Sequence, residues 1–322
     1  MDLVLTDPSG TDLMVLSPDS SDWEWGGDDG NDFELTFEEG RPVPAFRPFG
    51  RVWAQGTEYG GVLTRVSSED GCVKWSGPTW TGLLAGKVLV DDAGTGRLTV
   101  SGEANAVLRQ LVARMGLGEV LVGSAEQSGI RVVSYGFDMY ADGYSGITSM
   151  LASVGAKLRV RHDGLRAVLS AVPAVDWSAS DEFDATMVEV EATVESWFTN
   201  HLVGRGQDEK ENRVSVDLYL DDKGNVSEKR SLSGVREHAE YYNYTSADRD
   251  KLVEDGTKRL KGYWDDAQTV SVTLAADDDR FDIGDVVAGT DPRTGVTARA
   301  RITSKVLTTD RHGVASVSYG TE

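Results

Sequence analysis

The sequence predicts an α+β, β-dominated fold: two β-barrel-like domains with an intervening α+β region. Three observations predict it. Short runs alternate apolar and polar residues and break at glycine-bearing turns, as half-buried strands do. Helical spacing is confined to three segments, two of them in the middle of the chain. Finally, Gly71-Cys72-Val73-Lys74-Trp75-Ser76-Gly77-Pro78-Thr79-Trp80-Thr81-Gly82-Leu83-Leu84 and Phe281-Asp282-Ile283-Gly284-Asp285-Val286-Val287 read as strand, glycine, aromatic and turn rather than as active sites. With 322 residues, at about 100–200 residues per domain, we expect a first barrel over residues 1–100. An α+β middle domain follows over 101–200, and a second barrel with one long helix over 201–322.

The elements follow in order. Asp2–Leu5 and Asp12–Leu16 are expected strands joined by Pro8-Ser9-Gly10, and Phe33–Phe37 alternates as a strand should. Arg41–Pro48 carries Pro42, Pro44 and Pro48 and reads as an extended connector. Arg51–Ala54, Gly61–Ser67 and Cys72–Trp75 are further strands, with Glu69-Asp70-Gly71 as a hairpin turn. Trp23 and Trp25 share parity, as residues packed on one sheet face do. Ser101 is placed to cap a helix carrying Ala104, Val107, Leu108, Leu111, Val112 and Met115, which Gly116 ends. A shorter helix is expected over Ser145–Val154, then a hairpin over Lys157–Val172 turning at Asp163-Gly164. Arg213–Leu220 alternates, and Thr245 and Asp248 have capping-box spacing before a helix over Ala247–Lys261. Gly256 inside that helix should cost about 1 kcal/mol relative to alanine. Thr269–Leu274, Asp285–Gly289, Val296–Thr303, Lys305–Thr308 and Val314–Tyr319 then read as a meander with turns at Asp291-Pro292, Thr294-Gly295 and His312-Gly313. Val66–Trp75 and Val306–Tyr319 share a grammar of strand, acidic turn, glycine and strand.

Composition excludes several classes. A single cysteine, Cys72, rules out a disulfide framework within one chain. The first residues show no basic leader or long apolar run, so no secretory signal is expected, and no apolar run approaches the roughly 18 residues of a membrane span. A net charge of -21 argues against a nucleic-acid binder, which needs clustered Lys and Arg. It suits solubility, or a surface that repels passing DNA.

A search for chemistry finds little. His162, His201, His238 and His312 stand in no metal-ligand spacing and read as surface or turn residues. Cys72 has no base nearby in sequence. Gly143-Tyr144-Ser145-Gly146 places its second glycine one residue too early for a nucleophile elbow, so Ser145 reads as a helix cap. Asp28-Asp29-Gly30-Asn31-Asp32, Asp221-Asp222-Lys223-Gly224-Asn225 and Asp277-Asp278-Asp279 miss the twelve-residue calcium loop and read as solvated turns. Gly204-Arg205-Gly206 lacks the third glycine of a dinucleotide loop. No catalytic residue, cofactor or metal is expected. Asp282 and Asp285 bracket Gly284 and read as a strand-entry turn, and Trp75 and Trp80 as barrel core or subunit contact.

Taken in order, these residues resemble the tail hub proteins of tailed phages, a family that includes the baseplate hub of contractile tails and the N-terminal part of siphophage tail-associated proteins. Gly77, Trp80, Gly82 and Leu84 match its "G-x-x-W-x-G-x-L" segment. Ser101–Val107 is similar to the start of its helix, and Thr199–Gly206 to its central "N-H-L-x-x-x-G-x-G" stretch. Phe281–Val287 is similar to its C-terminal barrel. The resemblance implies a homotrimer whose three chains present six barrels to a hexameric distal tail or tail tube protein. It also implies contact with the tape measure protein and with a downstream tail-tip or receptor-binding protein. DNA would pass in transit without specific binding, in a virion part with no stable membrane insertion and no enzymatic activity. Trp75, Gly77, Trp80, Gly82, Asp282, Gly284 and Asp285 would form its structural and assembly motif. The competing reading is a carbohydrate- or receptor-binding β module at the tail tip.

Overall fold

The computed structural model of the chain describes residues 2–26, 30–40, 42–69, 71–91, 97–177, 188–207, 214–274, 280–291 and 293–322. The first third holds strands β1 (Leu3–Thr6), β2 (Asp12–Leu16), β3 (Ser20–Gly26), β4 (Asp32–Phe37), β5 (Arg51–Trp53), β6 (Gly60–Val62), β7 (Arg65–Glu69) and β8 (Cys72–Pro78), then helix α1 (Trp80–Ala85). The middle holds β9 (Thr99–Glu103), α2 (Ala104–Arg114), β10 (Leu121–Gly123), β11 (Arg131–Gly136), α3 (Gly143–Ala152), β12 (Ala156–His162) and β13 (Ala167–Pro173). The remainder holds β14 (Val188–Val194), β15 (His201–Arg205), β16 (Ser215–Leu220), β17 (Val226–Ser227), β18 (Ala239–Asn243), α4 (Arg249–Ala267), β19 (Gln268–Leu274), β20 (Val286–Thr290), β21 (Thr297–Thr309) and β22 (Ala315–Thr321). The fold is β-dominated, and among the described residues no helix is long and apolar enough to cross a membrane.

The contacts divide the chain into two units. The first comprises Met1–Glu189, Val272–Thr290 and Thr297–Glu322. The second comprises Val190–Ser271 and Asp291–Val296.

In the first unit a long sheet runs β19-β22-β21-β3-β4-β8-β7, with β20 also paired to β21. A four-stranded sheet, β2-β1-β5-β6, and a three-stranded sheet, β10-β13-β12, lie within the same unit. The two stretches expected to seed separate barrels thus share one sheet. The joint is β21 against β3, with Lys305 opposite Trp25 and Leu307 opposite Trp23. Leu307 accordingly packs in one core with Trp23, Phe33, Leu35 and Trp75.

Among the described residues no sheet closes on itself. The expected barrel closure is corrected here. Turn chemistry fixes which neighbouring strands pair, whereas closure depends on strands distant in sequence.

The second unit packs α4 over the sheet β17-β16-β15-β18, with Leu202, Leu218, Leu252 and Leu260 as its core.

Several local expectations shift. Ser101 lies in β9, and the cap of α2 is Glu103, whose Oε2 accepts from the N–H of Ala106 at 2.8 Å. Ser145 is not the cap of α3 either; Asp142 is, accepting from the N–H of Ser145 at 2.9 Å. Asp248 caps the start of α4 directly, at 2.9 Å from the N–H of Lys251. Gly256 is tolerated there for a packing reason: a Cβ would meet Leu218 Cδ1 at 2.6 Å. The expected break near Ser304 is a bulge within one continuous strand, where the pairing of β21 with β22 shifts between Ile302 and Ser304. Asp28, Asp29, Asp70, Arg213, Asp277-Asp278-Asp279 and Pro292 lie outside the described residues.

Candidate functional site

The turn that enters β20 is built around Asp285, whose side chain is fully buried. One carboxylate oxygen accepts from the N–H of Val175 at 2.8 Å. The other accepts from Lys157 Nζ at 2.8 Å, Trp177 Nε1 at 3.1 Å and the N–H of Asp282 at 3.2 Å. Asp282 takes a second bond from the same ammonium at 3.0 Å. Between the two acids Gly284 adopts φ +97°, a left-handed angle glycine takes freely, and an added Cβ would stand 2.7 Å from Lys157 Cβ. The expected turn is therefore a clasp. It joins β12 and the segment after β13 to the strand that returns beyond the second unit. Phe281 seals it, buried edge-on against Trp177 and Tyr319. A buried charge is costly unless paired and fully hydrogen-bonded, and the four donors on Asp285 meet that condition.

Lys157, Val175 and Trp177 escaped the sequence reading. Lys157 stands 128 positions from its partner, so no local spacing links them.

A second buried lysine makes a similar tie. Lys305 of β21 bonds Glu58 at 2.8 Å and lies over the ring of Trp25, 5.9 Å from its centroid. Glu58 also faces Arg161 at 3.7 Å. Between the two ties lies a cavity of about 30 Å³, lined among others by Trp25, Glu58, Trp80, Tyr144, Asp282 and Lys305. That is room for one or two waters, well below the several hundred Å³ of a ligand pocket. Burial, and then Glu58 and Asp142, push the Tyr144 hydroxyl above its ordinary pKa.

The aromatic stretch is structural in its geometry. Trp75 and Trp80 are each 1% exposed. Trp75 meets Phe37 and Phe46 edge-on. Trp80 opens α1 and stacks on His162, which also stacks on Trp53 at 4.1 Å. The two glycines of the motif are places where backbones touch. A Cβ at Gly77 would stand 1.9 Å from the Val62 carbonyl oxygen, and one at Gly82 would stand 2.1 Å from that of Asn31.

His162, read from sequence as a surface or turn residue, ends β12 beside the Asp163-Gly164 turn but is buried. Burial lowers its pKa to about 4, and its Nδ1 accepts from the N–H of Gly164 at 3.2 Å. His201 is also buried, between Glu237 at 2.9 Å and Asp217 at 3.3 Å.

The structure brings Asp282, Gly284 and Asp285 together at one point, whereas Trp75 and Trp80 stand in two different core clusters, Trp75 with Trp23, Phe33 and Leu35 and Trp80 with Trp53 and Leu84. Among the described residues no group of three or more His, Cys, Asp or Glu is placed to hold a metal ion. Asp221 spends its carboxylate on its own turn, accepting from the N–H groups of Lys223 at 2.9 Å and Asn225 at 2.8 Å.

No family model and no curated protein matches the sequence. Solved structures do. The prophage tail protein gp18 from Listeria monocytogenes aligns over 99% of this chain and 94% of that one, at 12% identity and a TM-score of 0.49. The tail protein from Neisseria meningitidis aligns over 100% and 97%, at 13% identity and a TM-score of 0.46. The 43 kDa tail protein of prophage MuSo2 from Shewanella oneidensis aligns over 99% and 98%, at 11% identity and a TM-score of 0.50. At that identity the likeness is one of fold, and it spans both chains almost completely: this chain is similar in fold to a prophage tail protein.

Proposed function

We propose that this chain is a structural hub of a phage-type tail, placed at the tail tip of the virion. One observation carries the reading: its likeness in fold to the MuSo2 tail protein runs end to end in both chains. The ordered hub-like motifs of the sequence point the same way. In this reading three copies form a ring that adapts the hexameric tail tube or distal tail protein to the tip. The tape measure protein lies on one side and a tail-tip or receptor-binding protein on the other, and DNA crosses the ring without being bound. The chain is then a scaffold and not an enzyme. Trp75, Gly77, Trp80, Gly82, Asp282, Gly284 and Asp285 serve the scaffold by fixing strand positions. The test is a particle assembled without the chain. Tails lacking a tip, restored when the chain is supplied, support the hub; complete infectious tails without it sink the reading.

A second reading draws on Trp197, which is 58% exposed and stacks on His238 with ring centroids 5.0 Å apart. An exposed indole platform of this kind suits a sugar ring. A glycan array on which the wild type binds and Trp197→Ala does not would favour a carbohydrate-binding module.

A further inference from the structure

Trp80 buries a hydrogen-bond donor that the protein does not answer. The residue is almost wholly buried, and its indole Nε1 has no hydrogen-bond partner among the described residues. Its ring stacks on His162, a contact that uses the face of the indole and leaves the N–H unspent. Buried polar groups in folded proteins are nearly always satisfied, by protein or by ordered water.

Trp80 lines the cavity of about 30 Å³ described above. A water needs about 10–15 Å³ of such space and roughly two to four polar partners. The walls supply both. Glu58 and Asp282 bring carboxylates, Lys305 an ammonium and Tyr144 a phenol. Glu58 Oε1 takes Lys305 at 2.8 Å, whereas Oε2 faces Arg161 only at 3.7 Å, beyond hydrogen-bond range. The carboxylate therefore has lone pairs left to accept from a further donor. The cavity also stands where two apolar clusters meet. Trp80 belongs to the cluster of Trp53 and Leu84, and Trp25, which lines the same cavity, to that of Trp23 and Phe33. Purely apolar cavities stay dry, and this one carries charge on its walls.

We propose that this cavity is a site for one or two ordered waters, the first accepting from Trp80 Nε1 and donating to the carboxylate of Glu58 or Asp282. The water joins the lysine ties to the aromatic segment and gives the buried indole the partner that the chain withholds. The site belongs to the first unit alone and is independent of the hub reading.

The wild-type full chain tests this, so no variant has to fold. In a high-resolution crystal structure a water should lie about 2.7–3.2 Å from Trp80 Nε1 and within the same reach of Glu58 or Asp282. Crystals held under xenon should show none in the cavity, because xenon enters dry apolar space. In solution the Trp80 indole proton should show a nuclear Overhauser effect to a water that stays bound longer than surface waters do. Any one of four results overturns the proposal: no water beside Nε1, a protein oxygen bonded to Nε1 in its place, xenon in the cavity, or an indole proton without that effect.

Discussion

Lys157 Nζ lies 2.8 Å from Asp285 Oδ2, and the two residues are 128 positions apart. Their side chains are 8% and 0% exposed. The same carboxylate holds Val175 and Trp177, the last part of the chain before residues 178–280 intervene. Asp285 therefore pins the returning strand to the place where the chain departed.

Removing the cation should be costlier than removing the pair. Lys157→Met leaves two carboxylates without their cation, one of them fully buried, a change that typically costs about 3–5 kcal/mol. Lys157→Met with Asp285→Asn should recover part of that loss, because no charge is then stranded at the buried position. Denaturant midpoints of the single and double variants measure it. A loss below about 1 kcal/mol for Lys157→Met would show that the clasp does not hold the fold.

Two glycines of α4 should respond in opposite directions. Gly262 has nothing within 4 Å of a built Cβ, so Gly262→Ala should stabilise by up to about 1 kcal/mol through helix propensity. Gly256→Ala should destabilise by about 1–3 kcal/mol, because its Cβ would meet Leu218 at 2.6 Å and Leu202 at 3.0 Å. Thermal melts that shift both variants the same way would contradict this packing of α4.

Acid should act through His162. Its folded pKa of about 4 lies below the ordinary 6.5, so the unfolded chain takes up the proton first as pH falls. The contribution is complete above about 6.5 and declines from there to about 4. The total is at most about 3 kcal/mol. His162→Gln should flatten stability against pH in that window, whatever it does to stability at neutral pH. An unchanged slope would place the titration elsewhere.

Tryptophan quenching should separate the exposed indole from the buried ones. Trp197→Phe should remove the largest single share of the acrylamide-accessible emission, since Trp23, Trp25, Trp53, Trp75 and Trp80 are buried and Trp177 and Trp264 are only partly exposed. Trp75→Phe and Trp80→Phe should leave the accessible fraction nearly unchanged. Strong quenching of either would mean that the aromatic segment opens in solution.

The sequence by itself determined the local grammar of this protein. The β-rich ends, the α2 and α3 segments and the β12–β13 hairpin all follow from periodicity and turn residues, because these depend on neighbours within a few positions. The parity of Trp23 and Trp25 was legible too: both are buried and their rings stack. The acidic pair around Gly284 could be found, though not its purpose, since Lys157 and Trp177 reach it through space alone. Only the tertiary structure decided that β21 pairs with β3, that the sheets stay open among the described residues, and that Gly77 and Gly82 are set by carbonyl oxygens about 2 Å from where a Cβ would lie. Contacts of this kind join residues separated by 15 positions, as Gly77 and Val62, up to 280, as Lys305 and Trp25. Their selection comes from burial and steric fit across the whole core, which no window of sequence contains.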